Sequence, residues 1–156
     1  MSGDRVIDRC SSCDPRREFL SHALGFVVAI ALPIGGAVAL ASGSERRYAI
    51  PSVDGVTIDR ASQVVLVRRQ MHAYAFALAC PHQNTALKWL PKDGRFQCPK
   101  HDSKYQPDGT FMSGHATRNM DRFAIRRDGD ALVVDVARWF QSDRQAVEWA
   151  AARVDL

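Results

Sequence analysis

Two hydrophobic patterns divide the chain. From Phe19 to Ser44 there is no Asp, Glu, Lys or Arg, and Ala23 to Ala41 is almost wholly apolar. As a helix, Phe19–Ala41 would span roughly 34 Å, enough for a bilayer. Pro33, Gly35 and Gly36 would kink it, which membrane helices tolerate. A transmembrane anchor is therefore expected over residues 19–42. Ala39-Leu40-Ala41 has the small-x-small form of a cleavage site, but the length of the span favours a retained anchor. Beyond Glu45 the period changes to that of strands. Val and Leu dominate Gln63–Arg68, and in His72–Ala79 the large Tyr74, Phe76 and Leu78 alternate with alanines. Arg95-Phe96-Gln97 reads as a short strand, with turn signals at Pro91-Lys92-Asp93-Gly94 and Gln106-Pro107-Asp108-Gly109. Phe123–Arg127 and Ala131–Val136, joined by Asp128-Gly129-Asp130, predict a hairpin. Residues Asn84–Leu90 show no period. Ser142 with Gln145 resembles a capping box opening a short helix to about Arg153, with Val147 and Ala151 on one side. The expected fold is an all-β head of antiparallel sheets, preceded by one N-terminal transmembrane helix and closed by a short C-terminal helix. No internal repeat stands out.

Residues 1–18 form a polar tail of mixed charge, expected on the cytoplasmic side. Asp14-Pro15-Arg16-Arg17-Glu18-Phe19-Leu20 resembles a twin-arginine export signal, which serves proteins that fold before export. Arginine pairs flank the span on both sides, at Arg16-Arg17 and Arg46-Arg47, so positive charge alone orients it poorly. The export signal places the head outside the cytoplasmic (inner) membrane, on the periplasmic side of a single-pass protein. Cys10-Ser11-Ser12-Cys13 has no following histidine and no βαβ context, and is read as free thiols in the tail. Ser42-Gly43-Ser44 begins a flexible tether expected over 43–47. The net charge of +4 is modest and its basic residues are scattered among acids, which argues against a nucleic-acid face.

The candidate chemistry lies between Cys80 and His101. Cys80-Pro81-His82 and Cys98-Pro99-Lys100-His101 are separated by fifteen residues, and each offers one thiolate and one imidazole. Soft and borderline ligands on two short loops are a metal-site signature. A zinc finger normally groups its cysteines in one pair and its histidines in the other, whereas here every loop gives one of each. That suits a two-iron, two-sulfur cluster whose first iron takes both cysteines and whose second takes both histidines. A Cys2His2 zinc site is the chemical alternative. Any one of the four could be an ordinary loop histidine or buried cysteine, but four at this spacing outweigh that reading.

At these residues the chain resembles Rieske iron–sulfur proteins. A proline follows each cysteine, and the second loop continues His101-Asp102-Ser103-Lys104-Tyr105 where high-potential members typically read C-P-C-H-G-S-x-Y. The resemblance implies a Rieske-like head over 48–156, with a two-loop cluster-binding subdomain at about 79–115. It implies that the Ser103 hydroxyl donates to a bridging sulfide and the Tyr105 hydroxyl to a cysteine sulfur, both raising the potential. Asp102 stands where glycine is usual, and its charge would oppose reduction. The cysteines of the family's loop disulfide would fall at Thr85 and Lys100, so that bond is absent. His115, in Gly114-His115-Ala116, lies where relatives often carry a Gly-Pro-Ala-Pro loop, and is read as a loop residue. The resemblance also implies that the tether lets the head swing.

Neutral imidazoles in place of two thiolates make reduction easier, and the outward nitrogens of His82 and His101 can exchange protons. The leading expectation is a membrane-anchored electron-transfer subunit without substrate chemistry of its own, in a respiratory or photosynthetic complex. It would take electrons from quinol and pass them to a c-type cytochrome, beside cytochrome b-like subunits and membrane lipid, and without nucleic acid. The alternatives are the small subunit of a periplasmic molybdenum oxidase of the arsenite-oxidase type, and a Rieske-type ferredoxin. An oxygenase is excluded for this chain, because too little sequence follows His101 to hold a mononuclear iron domain.

Overall fold

The computed structural model describes residues 43–156. The tail with its Arg16-Arg17 signal, the Cys10/Cys13 pair and the span expected over 19–42 lie outside the described residues. Among the described residues no helix is long and apolar enough to cross a membrane.

The larger sheet is built from β1 (Glu45–Ala49), β2 (Gly55–Asp59), β3 (Val64–Arg69), β4 (His72–Ala77), β9 (Arg122–Asp128) and β10 (Ala131–Phe140), in the order β1-β10-β9-β4-β3-β2. The two-residue strand β11 (Val154–Asp155) pairs with the start of β4. The smaller sheet runs β5 (Lys88–Leu90), β6 (Arg95–Gln97), β7 (Lys104–Tyr105), β8 (Phe111–Ser113). One short helix, α1 (Ala146–Ala151), precedes β11. The pairings are antiparallel throughout, as expected.

The alternation in β3 and β4 explains how the two sheets meet. Both strands are buried on both faces. Val65, Val67, Tyr74, Phe76 and Leu78 point one way and join Cys80, Leu87, Phe96, Cys98, Tyr105 and Met120 in one core. Val64, Leu66, Ala73 and Ala75 point the other way and meet Phe123, Leu132, Val134 and Val154 in a second. Since β3, β4, β9 and β10 all contribute to that second core, the larger sheet curls over its alanine-lined face. Its large-residue face becomes the floor on which the smaller sheet sits. Burying each such Val, Leu or Phe contributes about 1.5–3 kcal/mol.

The hairpin forms as expected, with Ala131 opposite Asp128 and Gly129 at φ +64. Two expectations are corrected. Glu45–Ala49, assigned in part to the tether, is a strand paired along its length with β10, because its backbone groups complete an otherwise open edge. The helix is shorter than expected and Ser142 does not cap it: the Ser142 Oγ accepts the Asn119 amide at 3.1 Å, and Gln145 stands at the N-terminus without a side-chain cap. Val147 is exposed, so the helix docks by another residue. Trp149 Nε1 donates to the Met120 carbonyl at 2.7 Å, and the buried Arg122 guanidinium stacks 3.6 Å over the Trp149 ring while donating to the carbonyls of Trp149 and Asp108.

Candidate metal centre

The strand β4 leads through Leu78 to Cys80, and β6 leads directly to Cys98. From each cysteine the backbone follows the same path. The Cys80 amide donates to the Thr85 carbonyl and the Asn84 amide to the Cys80 carbonyl, both at 2.8 Å. The Cys98 amide donates to the Ser103 carbonyl at 2.8 Å and the Asp102 amide to the Cys98 carbonyl at 3.1 Å. Asn84 and Asp102 both take left-handed backbone, at φ +53 and +56. The two loops are one six-residue turn used twice, Cys-Pro-His-Gln-Asn-Thr and Cys-Pro-Lys-His-Asp-Ser. This short repeat is legible in the sequence and was passed over. It explains why glycine is usual at the position of Asp102: the turn needs positive φ, which Asn and Asp tolerate better than most other side chains.

The turns bring the candidate donors together in two pairs. Cys80 and Cys98 are both buried and free of any disulfide. The rings of His82 and His101 lie at the surface end, with centroids 4.9 Å apart. Among the described residues no three His, Cys, Asp or Glu side chains converge on one point as they would around a single ion. Sulfur with sulfur and ring with ring is a donor set divided between two metal atoms. The His101 Nδ1 is buried and has no hydrogen-bond partner. Such an orphan is costly unless something binds it. The arrangement therefore fits a two-iron cluster seated between the pairs.

Electrostatics supports this. Burial pushes the Cys98 thiol up, but the backbone N–H groups of His101 and Lys100, with contacts from Cys80 and Thr85, bring it below its ordinary pKa. Burial, then the nearby groups of His82, Lys100 and His115, hold His101 below its usual value, so it is neutral as a ligand must be. The Tyr105 hydroxyl stands 3.4 Å from Cys80 Sγ. Burial, followed by that contact, pushes its pKa up, so it remains a donor.

Ser103 is fully buried, and its Oγ accepts the amides of His115 and Ala116 at 3.1 and 3.0 Å. Its own proton is left to donate. Asp102 pairs with Lys104 at 3.2 Å and accepts from Gln97, so part of its charge is countered. His115 lies closer to the site than a plain loop residue. Its ring is 5.8 Å from that of His82 and 5.5 Å from that of His101, and its Nδ1 donates to the His101 carbonyl at 3.0 Å. Gly114 makes this approach possible: at φ +110, a Cβ would stand 2.4 Å from Ser103 Cα and 2.8 Å from the Asp102 carbonyl oxygen. Thr85 stands in the place of Ser103 in the first turn, and its side chain is among the groups that lower the Cys98 thiol.

Residues 47–127, just over half of the chain, match the Rieske 2Fe–2S domain family. The cytochrome b6-f complex iron-sulfur subunit of Chlorobaculum thiosulfatiphilum is 24% identical over 135 residues, covering 72% of this chain and 75% of that protein. Cytochrome b6-f complex iron-sulfur subunit 3 of Nostoc sp. (strain PCC 7120) is 46% identical over 37 residues, covering 24% of this chain and 21% of that one. A solved structure, the cyanobacterial plasma membrane Rieske protein PetC3 from Synechocystis PCC 6803, is 22% identical with a TM-score of 0.43, over 51% of this chain and 82% of that one. The chain belongs to the Rieske 2Fe–2S domain family and carries a Rieske-type 2Fe–2S cluster.

Proposed function

We propose that Cys80 and Cys98 hold one iron of the cluster and His82 and His101 the other, in an electron-transfer subunit that takes electrons from quinol and passes them to a c-type cytochrome. The head would stand on the periplasmic side of the cytoplasmic membrane, tied to it by the apolar N-terminal stretch and beside cytochrome b-like subunits. The observation that carries this reading is the polarity of the site: sulfurs buried at one end, imidazole rings at the surface at the other. The cluster supplies a one-electron carrier of raised potential, since neutral rings replace anionic thiolates. The chain's own residues do the rest. Cys80, Tyr105 and Phe96 keep water from the sulfur side. Tyr105 and Ser103 offer hydroxyl donors that favour the reduced state. His82 and His101 would each hold the iron through one ring nitrogen, and the other ring nitrogen is where a quinol hydroxyl would leave its proton. The related iron-sulfur subunits of cytochrome b6-f complexes agree with this reading.

The test is the midpoint potential as a function of pH. A strongly positive value that falls as pH rises near neutrality is expected, and a value near that of low-potential ferredoxins would defeat quinol oxidation. His101→Ala is expected to abolish the Rieske electron paramagnetic resonance signal; its survival would overturn the ligand assignment.

One observation favours a second reading, the small subunit of a periplasmic molybdenum oxidase. Thr85 and Lys100 stand in place of the disulfide cysteines, so the loops lack that covalent tie. Co-purification with a molybdenum subunit rather than a cytochrome b would decide for it.

A further inference from the structure

All four lysines of the chain, Lys88, Lys92, Lys100 and Lys104, lie within seventeen consecutive residues, and Arg95 lies among them. The register of the smaller sheet sets out where they point. Lys88, Gln97, Lys104 and Ser113 stand opposite one another across its four strands. Directly opposed residues share a face. The adjacent row, Trp89, Phe96, Tyr105 and Phe111, faces the core. The lysine row is therefore on the outer face, with Lys88 and Lys104 about 10 Å apart across two strand spacings. Lys100 lies at the cluster end of this face, next to His101, and Lys92 in the turn at the far end.

Lys104 and Arg95 are paired with Asp102 and Asp93 at 3.2 and 2.9 Å. Lys88, Lys92 and Lys100 are exposed and make no ion pair among the described residues. On the larger sheet Arg47 pairs with Asp128 and Arg126 with Glu45, while Arg69, Arg127 and Arg138 have no ion pair among the described residues, so the distinction of the smaller sheet is its lysines and not unpaired charge as such. The lysines are thus gathered on the smaller sheet, and Lys100 stands next to His101.

Lysines suit a transient encounter. Each is a hydrated, mobile point charge that steers a partner without locking it in a bidentate grip. A face bordering the edge where electrons leave selects a partner that can receive them, which a lipid surface cannot. We propose that the outer face of the smaller sheet, Lys88, Lys92 and Lys100 above all, is the docking surface for an acidic redox protein that meets the His82/His101 edge. One electron leaves the reduced head and one enters the oxidised partner. This rests on the electron-transfer reading above, and adds to it the sign and place of the contact.

The experiment uses the full chain with its cluster, reduced and mixed in a stopped-flow instrument with an acidic or a basic oxidised c-type cytochrome. Oxidation by the acidic cytochrome is expected to be the faster at low salt, and to slow about tenfold as salt is raised to 0.5 M. Lys88→Glu with Lys92→Glu should slow it by a similar factor at low salt and speed oxidation by the basic one, with the midpoint potential of each protein used to correct for driving force. Lys88→Gln with Lys92→Gln should give part of the effect, and the paramagnetic resonance signal reports that each variant is folded and loaded. Equal, salt-independent rates with both cytochromes, or a preference for the basic one, would overturn the proposal. So would sedimentation with phosphatidylglycerol vesicles that depends on Lys88 and Lys92 while cytochrome kinetics does not. Loss of the resonance signal from the unaltered chain would count against the electron-transfer reading itself, a different failure.

Discussion

The two metal-binding turns share a backbone and differ in what they support. Both close from the cysteine amide to the carbonyl five residues on, and both place a left-handed Asn or Asp before that closure. The first turn carries its histidine at the third position and its hydroxyl, Thr85, only half-buried. The second carries its histidine at the fourth, and its hydroxyl, Ser103, has no exposure at all. A further segment is hydrogen-bonded to the second turn: Gly114 lies against Ser103, and the amides of His115 and Ala116 end on the Ser103 Oγ. One turn simply presents its ligands, whereas the other is also a structural joint. Substitutions at matching positions should therefore have unequal effects.

The largest effect is expected from Gly114→Ala. The new methyl would meet backbone, which cannot swing aside as a side-chain tip can, and the positive φ adds strain. We expect a loss of about 2–4 kcal/mol and of most of the resonance signal, since moving Ser103 moves His101 with it. Thermal unfolding with cluster content checks this; an unchanged signal would mean that the second turn does not depend on its cover.

Ser103→Ala comes next. It leaves one buried and one part-buried amide without an acceptor, a cost of about 2 kcal/mol, and removes a donor near the sulfurs. The potential should fall. Thr85→Val, the matching change in the first turn, removes only a hydroxyl that helps lower the Cys98 thiol. A stability change under about 1 kcal/mol is expected, with a smaller fall in potential. Equal effects in the two variants would dissolve the distinction between the turns.

The sequence showed the site more plainly than the fold around it. Four donors at fixed spacing are chemically conspicuous, and the Tyr105 hydroxyl stands 3.4 Å from Cys80 Sγ. The long strands β3, β4, β9 and β10 are legible because they run for six residues or more with a clear period. Strands β5, β7 and β8 have two or three residues, too few to show one, and are held by register with their neighbours. Glu45–Arg47, the end of the expected tether, opens the edge strand Glu45–Ala49, whose charges mask it in the sequence. Ser142 looked like a cap because local hydrogen bonding is all that a sequence displays, whereas its actual partner, Asn119, is distant in the chain. Thr85 reads in the sequence as a missing cysteine, and its kinship with Ser103 shows only in the shared backbone of the two turns.

The smallest effects separate geometry from charge. Asn84→Gly and Asp102→Gly relieve the same left-handed backbone in the two turns, and each should change stability by no more than about 1 kcal/mol. Asn84 is neutral, so its replacement should leave the potential where it is. Asp102 is an exposed carboxylate, half countered by Lys104, and its removal takes away a negative charge beside the electron's site. Asp102→Gly should therefore raise the potential. The Asp102→Asn variant, which keeps the backbone constraint and drops the charge, should raise it by nearly as much. If Asn at 102 has no effect while Gly does, the shift comes from relaxed loop geometry, and the carboxylate is there for its bonds to Gln97 and Lys104 rather than for its charge.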